Sequence, residues 1–107
     1  MAQYFNITGA SAAAAELTRE LLAAGDDIKV SKISLTNIHA TTMCTVDLYI
    51  EKTLTGKFYL LKAVELPVGA TLIYDDIDFN NSSGEFGLYL KLTKSASETP
   101  SVDVILY

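Results

Sequence analysis

Three stretches of this chain alternate apolar and polar residues at every second position, and that rhythm restricts them to sheet. Thr45-Val46-Asp47-Leu48-Tyr49-Ile50 sets Val46, Leu48 and Ile50 on one side and Thr45, Asp47 and Tyr49 on the other. Residues 86–92 and 102–106 repeat the pattern. Strand side chains point to opposite faces with a period of two, so each stretch has one dry face and one wetter face. Several such stretches in 107 residues predict one all-β domain spanning 1–107. The expected fold class is an antiparallel β-sandwich, jelly-roll or immunoglobulin-like.

Residues 1–10 read as a short strand or an extended N-terminal arm, with Tyr4, Phe5 and Ile7 as its apolar members. Such an arm could lie on a neighbouring subunit. Residues 11–24 admit two readings. Local propensity predicts a short N-terminal helix, with Ser11 as its cap and an apolar stripe of Ala14, Leu17, Leu21 and Ala24. The competing reading is an extended arm followed by a strand, with Ala24-Gly25-Asp26-Asp27 as a tight turn into the next strand. Beyond residue 28 every signal is β. Ile28 and Val30 fall on even positions and Ile33 and Leu35 on odd ones, which predicts a bulge near Ser31-Lys32. Leu54-Thr55-Gly56-Lys57 turns strand 43–52 back into 57–64 as a hairpin. Pro67 and Gly69 mark a turn, and 80–84 reads as a polar loop. Six to eight strands are expected.

Reactive groups are sparse. Cys44 is the only cysteine and His39 the only histidine, so an internal disulfide and a zinc site of such ligands are both excluded. Cys44 shares the side of Val46 and reads as a small buried apolar residue. A nucleophilic Cys44–His39 pair is the alternative. Asp76, Asp78 and Asn80 have the i, i+2, i+4 spacing that opens a calcium loop and form the metal candidate set. That pattern then fails, with Asn81 where glycine is needed and Gly87 where a bidentate glutamate belongs. Ile77 and Phe79 alternate with the aspartates, which equally describes a half-buried strand. Asp75 and Asp76, as neighbours on a strand, would face opposite ways and so make a poor glycosidase pair. No catalytic residue and no cofactor is assigned.

The net charge of −5, with eight scattered basic residues, argues against a grip on nucleic acid. Half the residues are hydrophobic, which is apolar for a monomer surface and points to burial against other chains. Tyr49, Tyr89 and Tyr107 each oppose the aliphatic side of their strand. With Tyr4 and Phe5 they are the interface candidates, because tyrosine brings large contact area and one polar atom. The opening residues lack a basic region followed by an apolar run, and no stretch reaches the ~20 apolar residues of a membrane helix. Neither secretion nor membrane insertion is therefore expected, and Asn6-Ile7-Thr8 and Asn80-Asn81-Ser82 read as polar turns, not glycan acceptors.

From residue 28 onward the chain resembles small virion structural proteins of tailed bacteriophages, especially marine ones. The phrases that carry the likeness are Ile33-Ser34-Leu35-Thr36-Asn37, Thr45-Val46-Asp47-Leu48-Tyr49-Ile50, Tyr59-Leu60-Leu61-Lys62, Leu66-Pro67-Val68-Gly69-Ala70-Thr71-Leu72 and Val102-Asp103-Val104-Ile105. Their order is more specific than any one of them. The resemblance implies a β-sandwich repeated in many copies on the virion, made in the host cytoplasm. The implied roles are capsid decoration, neck or tail accessory. Its partners would be copies of itself and major capsid, neck or tail subunits. The resemblance also favours extended chain over 14–23. Two other functions are consistent with the residues: a carbohydrate-binding module for host-surface glycans, and a small hydrolase using Cys44 and His39.

Overall fold

A computed structural model describes residues 3–8, 16–25, 27–41, 43–52, 54–82, 86–93 and 100–107. They form an all-β structure of ten strands: β1 (Gln3–Thr8), β2 (Glu16–Leu22), β3 (Lys29–Val30), β4 (Ile33–Asn37), β5 (Cys44–Lys52), β6 (Gly56–Leu66), β7 (Thr71–Tyr74), β8 (Phe79–Asn80), β9 (Gly87–Thr93) and β10 (Ser101–Leu106). Eight are of ordinary length and two are two-residue pairs, which accounts for the excess over the expected count.

The ladders nest. β1 pairs with β10, β2 with β9, β3 with β8, β4 with β7 and β5 with β6, all antiparallel. The chain is thus one long ribbon folded back at the β5–β6 hairpin. Two further ladders, β10 to β4 and β9 to β5, join the ribbon to itself side by side. Two four-stranded sheets result, β1-β10-β4-β7 and β2-β9-β5-β6, with the β3-β8 pair apart. Period-two patterning decides which side of β10, β4 and β9 is buried, whereas β5 buries Asp47 and Tyr49, expected on its wetter side, along with Val46 and Leu48. Val102, Val104 and Leu106 are buried on β10, Ile33 and Leu35 on β4, and Leu88, Leu90 and Leu92 on β9. The buried sides of both sheets contribute to one hydrophobic cluster.

No helix occurs among the described residues. Helical propensity over 16–22 yields to pairing with β9, because tertiary burial outweighs a few tenths of a kcal/mol per residue. A register shift between Glu20 and Leu22 lets Leu21 and Leu22 both be buried, which the stripe expected of a helix did not allow. Residues 11–15, the rest of the expected helix, lie outside the described residues. Of residues 1–10, expected as a short strand or an extended arm, Gln3–Thr8 runs as a strand along β10 of its own chain, and 1–2 and 9–10 lie outside the described residues.

The parity change at Ser31-Lys32 has a different origin from the expected bulge. There the chain leaves the β3–β8 pair and enters β4 in another sheet. Tyr107 fastens this step: Ser31 N–H donates to the Tyr107 carbonyl at 2.7 Å and Tyr107 N–H to the Lys32 carbonyl at 2.8 Å. The expected polar loop 80–84 is revised at its first two residues, and 83–84 lie outside the described residues. Asn80 belongs to β8 and Asn81 is fully buried. The Asn81 side chain accepts from Ile28 N–H and donates to the Ala23 carbonyl, each at 2.5 Å, tying the turn after β2 to the end of β8. Asn37 does the same work at the other end, donating to the Leu66 carbonyl at 2.9 Å. Its own carbonyl accepts from Gly69 N–H at 2.9 Å, in the turn closed by Ala70 N–H to Pro67 O at 3.1 Å. Gly69 at φ +75 occupies the position of that turn that favours glycine.

Candidate functional site

Two sheet faces point away from the core, and ladder register fixes what each presents. On β1-β10-β4-β7 one outward row runs Tyr4, Ile105, Ser34, Ile73. The next row runs Asn6, Asp103, Thr36, Thr71. Asp103 is the only charged residue in these two rows, and Asn6 Nδ2 donates to its carboxylate at 2.6 Å. Thr36 and Thr71 hydroxyls meet at 2.9 Å. Tyr4 and Ile73 stand well out, at 74% and 58% exposure. Large apolar side chains on a nearly uncharged strip are what a protein contact uses. A groove of about 320 Å³ lies along the margin of this sheet, lined by Tyr4, Phe5, Asn6, Asp103, Val104 and Ile105.

The outward side of β2-β9-β5-β6 is built differently. Glu20, Tyr89, Tyr49 and Tyr59 form a row across all four strands. The Tyr49 and Tyr89 rings lie 5.5 Å apart and 8° from parallel. The Tyr49 and Tyr59 rings lie 5.3 Å apart and tilted by 49°. Lys57 Nζ sits 4.9 Å from the Tyr49 ring centre and Lys62 Nζ 4.5 Å from that of Tyr59. Tyr89 also folds over Gly87, where a Cβ would meet its ring at 3.2 Å. The Tyr89 hydroxyl donates to Glu20 at 2.8 Å, and that bond, with burial added, pushes its pKa up to about 12. Burial first, then the Glu51 charge, raises that of Tyr49. The rings spend their faces on one another and on lysines, and Tyr49 is left only 3% exposed.

Beside this row Asp47, 4% exposed, accepts from Ala63 N–H at 2.7 Å and from Lys62 Nζ at 3.3 Å. Ala63 has a left-handed φ of +54 and lies where β6 carries extra residues against β5. Asp47 therefore holds a bulge, and its carboxylate is already engaged.

The five interface candidates do not form one patch. Tyr4 and Phe5 belong to β1, with Phe5 partly buried against the core. Tyr49 and Tyr89 meet on the other sheet. Tyr107 stands alone of the set, with Lys32 Nζ 4.3 Å from its ring centre. The third tyrosine of the row, Tyr59, is not among the sequence candidates. The observed register, with Lys52 opposite Gly56, sets it opposite Tyr49, whereas the strand bounds expected from sequence, 43–52 and 57–64, do not. The Cys44 thiol is buried, and burial raises its pKa, so it stays protonated at neutral pH. His39 Nδ1 accepts from Thr41 N–H at 3.1 Å, serving the turn after β4. Asp75, Asp76, Asp78 and Asn80 are exposed, and Asp78 pairs with Lys29 at 3.7 Å. Among the described residues no three His, Cys, Asp or Glu side chains are grouped to share a metal ion. No protein-family model matches the chain, and no curated protein matches it significantly.

Proposed function

We propose that this chain is a non-catalytic structural subunit of a virus particle, working in many copies by binding its neighbours as capsid decoration or as a head or tail accessory. The observation that carries this reading is the nested ribbon. First strand beside last, second beside second-to-last, and a hairpin at the centre support a jelly-roll reading, an architecture in which two sheets stack as a sandwich. Viral coat domains are a major user of that architecture. The sequence resemblance to phage virion proteins points the same way.

The surface chemistry supports contact over catalysis. Tyr4, Ile105 and Ile73 give the first sheet an apolar, nearly uncharged outer row. The glycan-binding alternative needs aromatic faces presented to solvent for a sugar ring to stack on. The parallel Tyr49–Tyr89 pair turns those faces toward each other instead. Quantitative mass spectrometry of purified particles from the source virus tests the proposal. Many copies per particle are expected. Absence from the particle, together with a strictly monomeric purified chain, overturns it.

A further inference from the structure

We propose that β1 is an assembly edge, which takes β1 of a second copy of this chain by antiparallel main-chain pairing about a two-fold axis. This rests on the reading of the chain as an assembling subunit and names the surface and the partner.

Four strands end the two sheets: β1, β7, β2 and β6. An open edge is a row of unpaired N–H and C=O groups, and proteins normally block it with charges, bulges or brevity. Three of the four edges are blocked. β6 carries two register irregularities, the left-handed Ala63, and the charges of Lys57, Lys62 and Glu65. β2 has a register irregularity and sets Arg19 opposite core-facing Leu90, an inward-directed charge. β7 has only four residues and runs straight into Asp75 and Asp76. β1 has none of these devices. Its sequence, Gln3-Tyr4-Phe5-Asn6-Ile7-Thr8, holds no charge and no proline. Its register with β10 is unbroken from Gln3 to Thr8. Among the described residues it has no second neighbour.

A second copy is the occupant that fits. The chain carries a net charge of −5, so two copies repel wherever their acidic groups are forced together. β1 itself carries no charged side chain, and Asp103, the carboxylate paired with it on β10, is already bonded to Asn6. A two-fold axis normal to the sheet keeps outward residues outward. Two registers then pair most of the strand. One sets Phe5 on Phe5, with Tyr4 on Asn6 and Gln3 on Ile7. The other sets Asn6 on Asn6, with Phe5 on Ile7 and Tyr4 on Thr8. Either one covers the half-buried Phe5 and extends the core-facing row of Phe5 and Ile7 across the joint. The apolar groove along β1 and β10 lies at the same margin.

Cysteine cross-linking of the full chain reads this directly, with Cys44 buried and unreactive as the built-in control. Directly opposed residues in an antiparallel ladder have Cα atoms about 4.5–5.5 Å apart, within disulfide reach. A residue one step off the axis faces its own copy about 8 Å away, beyond that reach. Single variants Tyr4→Cys, Phe5→Cys, Asn6→Cys and Thr8→Cys are oxidised under mild conditions. Cross-linked dimer is expected at Phe5→Cys or Asn6→Cys, not both, at least tenfold faster than at the flanking positions. Hydrogen exchange on the unmodified chain covers the case of a variant that does not fold. Alternate β1 amides, those not bonded to β10, are expected to gain at least tenfold protection as concentration rises. A chain that associates by light scattering with neither signal overturns the β1 proposal and leaves the subunit reading standing. A chain monomeric at every concentration overturns the β1 proposal, and the particle composition then decides the subunit reading separately.

Discussion

Replacing Asp47 by alanine tests whether the guarded β6 edge depends on one buried carboxylate. Asp47 accepts from Ala63 N–H at 2.7 Å. A hydrogen bond to a charged group contributes about 1.5–3 kcal/mol to stability. The Lys62 pair adds little, because that lysine side chain is 61% exposed and exposed ion pairs contribute between about 0 and 1 kcal/mol. Ala63 at φ +54 meanwhile holds a conformation costing a non-glycine residue about 1–2 kcal/mol, which the Asp47 bond offsets. Asp47→Ala removes that offset, so a loss of about 2–3 kcal/mol is expected in urea unfolding. For a domain of this size that is a fall in Tm of about 10 °C or more. Asp47→Asn keeps an oxygen aimed at Ala63 N–H and is expected to cost under about 1 kcal/mol. Ala63→Gly in the Asp47→Ala background is expected to recover about 0.5–1 kcal/mol by relieving the left-handed strain. With the bulge released, β6 also flattens, and Asp47→Ala should scatter more light at high concentration. Equal costs for Asn and Ala, or an Ala variant within about 0.5 kcal/mol of the parent, a change in the range of ordinary surface substitutions, would refute the reasoning.

Two further outcomes are expected. Asn81→Ala removes two side-chain hydrogen bonds at a fully buried position, and a loss of about 2–3 kcal/mol in urea unfolding follows from about 1 kcal/mol per bond plus partial desolvation of the abandoned groups. A loss under about 0.5 kcal/mol would mean the 23–28 turn is held by other contacts. Stability is also expected to fall at alkaline pH. Tyr89 ionises near 10 when unfolded and only at about 12 when folded, and Tyr49 is shifted in the same direction. Above pH 10 the unfolded chain gives up these protons before the native one does, so the stabilisation is complete below that pH and is lost as pH rises towards 12. Tm measured from pH 8 to 12 should decline, and Tyr89→Phe should flatten the decline. An unchanged slope in that variant would remove the Tyr89–Glu20 bond from the account.

The individual strands were legible because their signal is local. Alternation in 102–106 translated into buried and half-buried sides residue by residue, with Val102, Val104 and Leu106 buried, whereas in 44–50 Asp47 and Tyr49, on the expected wetter side, are buried as well, Asp47 by its bonds to Ala63 and Lys62 and Tyr49 between neighbouring tyrosine rings. The β5–β6 hairpin and the Pro67–Gly69 turn were also legible, since their chemistry sits within four residues, although Gly56 and Lys57, expected in the turn 54–57, already belong to β6. Residues 16–22 were ambiguous for the opposite reason. Glu, Leu and Arg suit a helix locally, and only the distant β9 ladder makes them a strand. The Ser31-Lys32 parity change was visible but had two readings, a bulge within one strand or a step between sheets. Asn81 could not be separated from its neighbours in a polar run, because its burial depends on Ala23 and Ile28, more than fifty residues back in the chain.

The interface presents a harder version of the same problem. Gln3-Tyr4-Phe5-Asn6-Ile7-Thr8 reads identically whether it forms a central strand, an edge or a free arm. Its lack of charge becomes informative only once it is known to end a sheet, and that is a property of ladder order. Nested pairing makes β10 its neighbour, a strand about a hundred residues away in sequence, and joins β10 on its other side to β4. The central position therefore goes to β10 and the edge to β1. Had the ribbon rolled with β1 inside, the same six uncharged residues would be ordinary interior sheet, and the open edge would carry Asp103 instead. The consequence of leaving charge out of β1 is thus set by the direction in which the ribbon rolls, which no window of local sequence contains.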